Sequence, residues 1–405
     1  MSLDIEKIRK DFPILNTEVS GKKYVYFDNA ATGYKPLKVL KAVEEIYTTY
    51  NGNPHRGAHH MSSVTTQQFE AVRDKVKDFI NAAHREEIIF TKGTTESINL
   101  VAYSFGEAFI NEGDEVIITE MEHHANIVPW QIICERKKAK IKVLTFNDRG
   151  ELNIELLPEL INHKTRLLAV TLVSNVLGTV NPVEEIIKIA HKHKVPVLVD
   201  GAQGIQHLRV DMQKINCDFF VFSGHKLYGP TGVGCLYGKK EYLEKMPPFL
   251  GGGEMIEKVT FEKTTFNELP YKFEAGTPNF TEVIGMGAAI DYLLNIGFDN
   301  IAEYEHDLLH YAESELIKIP GLRIYGNSDY KSGVISFLVN NIHNYDMGMF
   351  LDKMGFAVRT GHHCADPIMD HYKIAGTVRA SFAFYNTKTE VDEFVKAIKK
   401  IITIF

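Results

Sequence analysis

Seven short, almost wholly apolar runs decide what this chain can fold into. They are IIF (88–90), EVIIT (115–119), IKVLTF (141–146), RLLAVTLVSN (166–175), VPVLVD (195–200), FFVFSG (219–224) and GVGCLYG (232–238). Amphipathic segments such as PVEEIIKIAHKHK (182–194) lie between them. A strand that is apolar at every position needs cover on both faces, and the intervening helices supply it. The reading is an α/β unit with a mixed, mostly parallel sheet over residues 15–285.

Beyond GAAIDYLLNIG (287–297) the texture changes. A long charged helix (DNIAEYEHDLLHYAESELIKI), GVISFLV, the loop AVRTGHHCADP, TVRASFAFYN and a last amphipathic helix (389–405) read as a smaller α+β unit. That unit is assigned residues 286–405, with an N-terminal helix from residues 1–14 packing on it. The 405 residues carry a net charge of −7, which argues against nucleic acid as the main partner. No apolar run has the roughly 18 residues a membrane span needs. Asp4 and Glu6 stand where a signal peptide would be basic and then apolar, so the expected location is the cytoplasm. The four cysteines form no CxxC pair and match neither a disulfide framework nor a zinc-ribbon spacing.

Ligands of open α/β sheets bind beyond the carboxyl ends of the strands, so the residues just after each run are the candidates. Asp200 ends VPVLVD, and Lys226 follows FFVFSG in SGHK. Most lysines are surface charges, and an Asp after a strand is often only a cap. Here the two would face one crevice, a carboxylate opposite an amine. Pyridoxal phosphate needs such a pair: a lysine for its aldehyde and an acid for its pyridine nitrogen. Two unit charges about 4 Å apart attract by on the order of 4 kcal/mol at an effective dielectric of 20, enough to keep the ring nitrogen protonated. Gly93, Thr94 and Thr95 open a helix after a strand, which makes an anion site, and Ser223 and His225 flank the lysine as further phosphate donors. His123, after EVIITEME, could stack on a planar ring and carry protons. Asn175 and Gln203 could reach a phenolate oxygen.

The combination of YFDNAAT (26–32), GTTESIN (93–99), EHHANIVPW (122–130), DGAQ (200–203), SGHKLYGP (223–230) and RTGHHCA (359–365) resembles the SufS-type, group II cysteine desulfurases and selenocysteine lyases. These are fold-type-I, class V aminotransferase-like enzymes, and the resemblance covers nearly the whole chain. It implies a pyridoxal phosphate homodimer that turns L-cysteine into L-alanine and leaves the sulfur on a cysteine as a persulfide for iron–sulfur or other sulfur delivery. By the same resemblance Lys226 is the Schiff-base lysine and Asp200 the ring-nitrogen partner. His123 is then the stacked acid/base, Gln203 and Asn175 contact ring or substrate, and Thr95, Ser223 and His225, with Thr94, hold the phosphate. Thr277, in EAGTPN, reaches the partner subunit's cofactor. Arg379 anchors the substrate carboxylate, and Arg359, His55 and Arg56 complete the substrate side. No metal is called for.

Cys134, Cys217 and Cys235 lie in or beside apolar patterns, whereas Cys364 lies in a polar loop with Arg359, His362 and His363. A free thiol is only about 3% thiolate at pH 7, and nearby positive charge raises that fraction. A zinc site on His362, His363 and Cys364 is disfavoured, because three adjacent residues rarely converge on one tetrahedral ion. Other class V readings, a kynureninase-like hydrolase or an aminotransferase, need no thiol there. A non-catalytic sulfur-relay scaffold would need neither Lys226 nor Asp200. The tight 359–365 loop and the insert 251–276 resemble the group that passes sulfur to a partner protein. Members that use a zinc-bound acceptor carry a histidine where IHNYD (342–346) has Tyr345, so a thiol acceptor of the SufE type is favoured. L-selenocysteine is the alternative substrate.

Overall fold

The computed structural model describes residues 3–19 and 21–405. Its main sheet has seven strands: β1 (Ile88–Thr91), β2 (Glu115–Thr119), β3 (Lys140–Leu144), β4 (Thr165–Thr171), β5 (Val197–Asp200), β6 (Phe219–Ser223) and β7 (Gly234–Gly238). They lie in the order β1-β7-β6-β5-β4-β2-β3, with β7 antiparallel to both neighbours and the other pairs parallel. The apolar runs become strands because alternate side chains enter different cores. Leu168, Val170, Phe220 and Phe222 pack in one, and Leu167, Ala169, Phe219 and Val221 in the other. Only β3, at the sheet edge, carries exposed lysine (Lys140), which discourages further pairing.

The expected helix PVEEIIKIAHKHK forms over Val183–Lys192. Glu184 and Glu185 sit in its first turn and His191 and Lys192 in its last, matching the helix dipole. The smaller sheet has four antiparallel strands, β8 (Leu322–Tyr325), β9 (Val334–Val339), β10 (Arg359–Gly361) and β11 (Thr377–Ser381), ordered β8-β9-β11-β10. Helices Phe298–Leu316 and Lys388–Ile402 cover it through Leu308, Leu309, Ala312, Phe394 and Ile398.

Two details depart from the sequence reading, and a third adds to it. The N-terminal helix is only Ile5–Arg9, followed by a 3₁₀ turn at Pro13–Asn16. The Asp11 carbonyl accepts from Leu37, 2.8 Å away, and Pro13 has no N–H to continue the helix. Arg9 still reaches the C-terminal helix, 2.8 Å from Glu390. Val25–Tyr26, inside the span assigned to the large unit, pairs with Phe356–Ala357 and packs in the smaller unit's core. The insert 251–276 contains a hairpin, Ile256–Val259 with Thr264–Phe266, whose tip exposes Phe261.

Candidate active site

The carboxyl ends of β1, β2, β4, β5 and β6 meet β11 and the 361–366 turn around a cavity of about 290 Å³. At one end is the helix Thr94–Phe109. Its first N–H, from Thr94, donates to Ser223 Oγ at 2.8 Å, and the two hydroxyl oxygens are also 2.8 Å apart. This contact needs glycine on both sides. Gly93 has φ +151°, and a Cβ on Gly234 would lie 2.4 Å from the Gly93 Cα.

Asp200 and Lys226 face the same space. The register pairs Asp200 with Thr171 of β4, so it projects where the strands end. Its Oδ1 accepts from the Ala202 N–H at 2.9 Å. Burial pushes its carboxyl up, against that hydrogen bond and the charge of Lys226. The Lys226 amine is pushed down to about 8 by burial, with Asp200 opposing. Among the described residues neither group has an opposite charge within salt-bridge distance.

His123 caps a short 3₁₀ turn, its Nδ1 accepting from the Ala125 N–H at 3.0 Å. That bond requires an unprotonated Nδ1. Burial and then Lys226 drive the imidazole down to about 4, and burial takes His225 to about 4 as well. The preceding residue, Glu122, is fully buried. It accepts from Thr119 Oγ1 (2.5 Å), Asn126 Nδ2 (2.7 Å) and the Thr171 N–H (2.9 Å), which fixes the His123 turn against β4.

Arg379 of β11 is 2% exposed, donates to the Asn175 carbonyl at 3.0 Å and lies 3.0 Å from Asp28. Arg359 is its register partner on β10 and also binds Asp28, at 2.9 Å. Two like charges opposite one another across a sheet repel, and Asp28 holds both. The Asn175 amide donates to the His363 carbonyl at 2.7 Å, and the Gln203 amide to the Ala30 carbonyl at 2.7 Å. Both side chains line the cavity while bracing its walls.

Cys364 is the one exposed cysteine of the four, and it too lines the cavity. His363 and Cys364 are both at φ 56°, which side chains other than glycine seldom adopt. The turn closes through the Ala365 N–H to the His362 carbonyl, 3.1 Å, and is tied down by the His124 N–H to the Cys364 carbonyl, 2.8 Å. Burial raises the thiols of Cys134, Cys217 and Cys235, so none of them is a nucleophile at neutral pH.

One cavity thus gathers Thr94, Thr95, His123, Asn175, Asp200, Gln203, Ser223, His225, Lys226, Arg359, Cys364 and Arg379. Thr277, His55 and Arg56 lie outside it in the single chain. Thr277 lines a separate recess with Phe249 and Leu250. His55 sits between Glu70 (3.0 Å) and Glu254 (3.1 Å), and Arg56 pairs with Glu254 at 2.8 Å. Asp28 and Glu122 were not singled out from the sequence. Asp28 stands within YFDNAAT and Glu122 immediately before His123, and only contacts across strands reveal what they do.

Residues 25–394 match the model of the aminotransferase class-V family. The chain belongs to that family. As a class-V member it is 51% identical over 402 residues to a cysteine desulfurase of Escherichia coli O7:K1 (strain IAI39 / ExPEC), covering 99% of each. The solved cysteine desulfurase CsdA (S-sulfonic acid) from Escherichia coli superposes with a TM-score of 0.93 at 40% identity, over 100% of both chains. The apo cysteine desulfurase from Thermococcus onnurineus NA1 does so with 0.95 at 39% identity, over 100% of this chain and 99% of that one. The fold is the fold-type-I arrangement of pyridoxal phosphate enzymes.

Proposed function

We propose that this class-V protein is a pyridoxal phosphate-dependent cysteine desulfurase that converts L-cysteine to L-alanine and leaves the sulfur on Cys364 as a persulfide. The observation that carries it is one cavity that holds, among the described residues, an unpaired and largely buried lysine, an unpaired buried carboxylate and the only exposed thiol. The donor set fits the cofactor. Asp200 offers its carboxylate to a cationic ring nitrogen, Lys226 an amine to an aldehyde, and Thr94, Thr95, Ser223 and His225 offer hydrogen bonds to a phosphate. When bound, pyridoxal phosphate supplies an electron sink that acidifies the Cα–H of an attached amino acid.

The chain's own groups do the rest. Lys226 Nζ, near pKa 8, is free of its proton often enough at neutral pH to take one from a carbon acid. Arg379 points its guanidinium at the substrate carboxylate, and Asp28 keeps that guanidinium in place. With the cofactor bound, the neutral His123 ring in the cavity wall would lie against it and carry protons. The backbone-tethered turn presents Cys364 Sγ to the substrate sulfur. The exposed thiol favours desulfuration over the kynureninase-like and aminotransferase readings.

The finer assignments belong to the same proposal. The enzyme is a cytoplasmic homodimer in which Thr277, His55 and Arg56 serve the partner's site, consistent with their lying outside the cavity of their own chain. No described helix is long and apolar enough to cross a membrane. The acceptor is a thiol protein of the SufE type. His343 caps the helix Asn344–Lys353 through its Nδ1, 3.3 Å from the Tyr345 N–H, and is thereby occupied in the fold. The test is incubation of holoenzyme with L-cysteine and with L-selenocysteine, measuring alanine, sulfide or selenide, with and without candidate acceptors. A protein that releases no alanine from cysteine is not a desulfurase.

A further inference from the structure

The turn that carries Cys364 also carries a side-chain cluster that the chemistry above leaves unused. Asp366 Oδ1 lies 2.8 Å from His362 Nδ1, and its Oδ2 lies 2.7 Å from His124 Nε2. All three side chains are about half exposed. Cys364 stands between His362 and Asp366 in the chain. The turn that carries them is held by backbone bonds, from Ala365 to His362 and from His124 to Cys364, and by the Asn175 amide on the His363 carbonyl. The exposed thiol and an exposed imidazole backed by a carboxylate are therefore carried two residues apart on one hydrogen-bonded turn. Among the described residues, His362 Nε2 has no hydrogen-bond partner.

We propose that His362, oriented by Asp366, is the general base for the second half of the cycle, taking the proton of an acceptor thiol as that thiol removes sulfur from Cys364. The proposal rests on the desulfurase reading. The step balances as follows. The acceptor R–SH gives its proton to His362 Nε2, and its thiolate attacks the outer sulfur of Cys364–S–SH. A new S–S bond forms, and the bond between Cys364 Sγ and the outer sulfur breaks with its electron pair remaining on Sγ. The acceptor departs as R–S–SH, and the imidazolium proton passes to the Cys364 thiolate or to water. The sulfane sulfur moves from one thiol to another, so no external oxidant or reductant enters.

A base is needed here because an ordinary thiol is only a few per cent thiolate at pH 7. The carboxylate supplies orientation. With Nδ1–H donated to Asp366, the lone pair of His362 sits on Nε2, the nitrogen that has no partner among the described residues. His124 Nε2 accepts from the Asp366 backbone N–H at 3.3 Å and lies 2.7 Å from Oδ2, which ties down the residue that carries the carboxylate. The remaining charged or titratable groups around His362 are His363 and Arg359 on its own segment and His124 from the turn after β2. The Arg359 cation is already engaged by Asp28.

The experiment uses holoenzyme given one equivalent of L-cysteine. The alanine burst reports persulfide formation. Transfer is then followed to thiols of graded acidity, namely trifluoroethanethiol, dithiothreitol and 2-mercaptoethanol, from pH 6.5 to 9.5. In His362→Ala, and in His362→Gln as the variant that perturbs packing less, transfer to 2-mercaptoethanol at pH 7 falls about tenfold or more. Asp366→Asn shows a smaller loss. The defect shrinks for trifluoroethanethiol and at high pH, where thiolate forms unaided, and added imidazole restores the rate. The burst changes far less than the transfer. Equal slowing with every thiol at every pH, or no slowing, overturns the proposal. A wild type with no alanine burst overturns the desulfurase reading and this one with it, whereas a normal burst followed by unchanged transfer in the variants overturns this one alone.

Discussion

Asp28→Ala is the perturbation that most directly tests how the substrate side of the cavity is built. Asp28 lies 3.0 Å from Arg379 and 2.9 Å from Arg359. With charge centres about 4 Å apart, the gross attraction to each is on the order of 4 kcal/mol at an effective dielectric of 20. The two arginines then differ by burial. The Arg379 side chain is 3% exposed, so removing its carboxylate strands a buried cation at a cost of about 3–5 kcal/mol. The Arg359 side chain is 48% exposed, so water replaces most of what it loses and its share is at most about 1 kcal/mol. Urea denaturation of Asp28→Ala is expected to show a loss of roughly 3–5 kcal/mol. In an Arg379→Ala background the same substitution should cost at least about 2 kcal/mol less, whereas an Arg359→Ala background should change it little. The KM for cysteine should rise, because Arg379 loses the partner that aims it. A loss below about 1 kcal/mol with an unchanged KM would refute the argument that Asp28 carries the arginine pair.

The other predictions concern the cofactor and the thiol. Lys226→Ala should abolish turnover and the borohydride-sensitive yellow absorbance, and alanine production by that variant would remove Lys226 from the chemistry. Asp200→Asn should still bind cofactor yet lose most activity, with near-wild-type turnover marking Asp200 as a structural cap instead. Cys364→Ser should fail to take sulfur from cysteine. Peptide mapping of wild type after brief exposure should find the adduct on Cys364, and an adduct on Cys134, Cys217 or Cys235 alone would overturn the assignment. The contribution of two buried histidines to the stability of the apoprotein should fall as pH drops, against the opposite contribution of Glu122, whose carboxyl is pushed up to about 8 by burial. His123 and His225 have folded pKa values near 4, below the usual 6.5, so the unfolded chain binds protons first. Their neutral state therefore supports the fold fully above about pH 6.5, and that support is lost progressively between about 6.5 and 4. His123→Asn should flatten the decline, as read by thermal unfolding across that range.

The strand runs, the lysine after β6, the aspartate ending β5 and the polar loop around Cys364 were legible in the sequence because each is a local pattern. A run such as TRLLAVT must be a doubly covered strand wherever it lies, and a charged residue that closes such a run must emerge at the sheet's carboxyl edge. Two pairings and one placement lay beyond that reach. Asp28 meets Arg379, 351 positions later, because the Tyr26 segment runs beside the smaller sheet. Asp366 meets His124 across 242 positions, because the thiol turn folds back on the end of β2. Thr277, His55 and Arg56, expected at the site from the family resemblance, stand outside the cavity of their own chain. Local sequence determines which atoms an element can present and on which face. Which charges neutralise one another depends on segments hundreds of residues apart being brought within about 3 Å, and that follows only from how the two sheets and their cores pack.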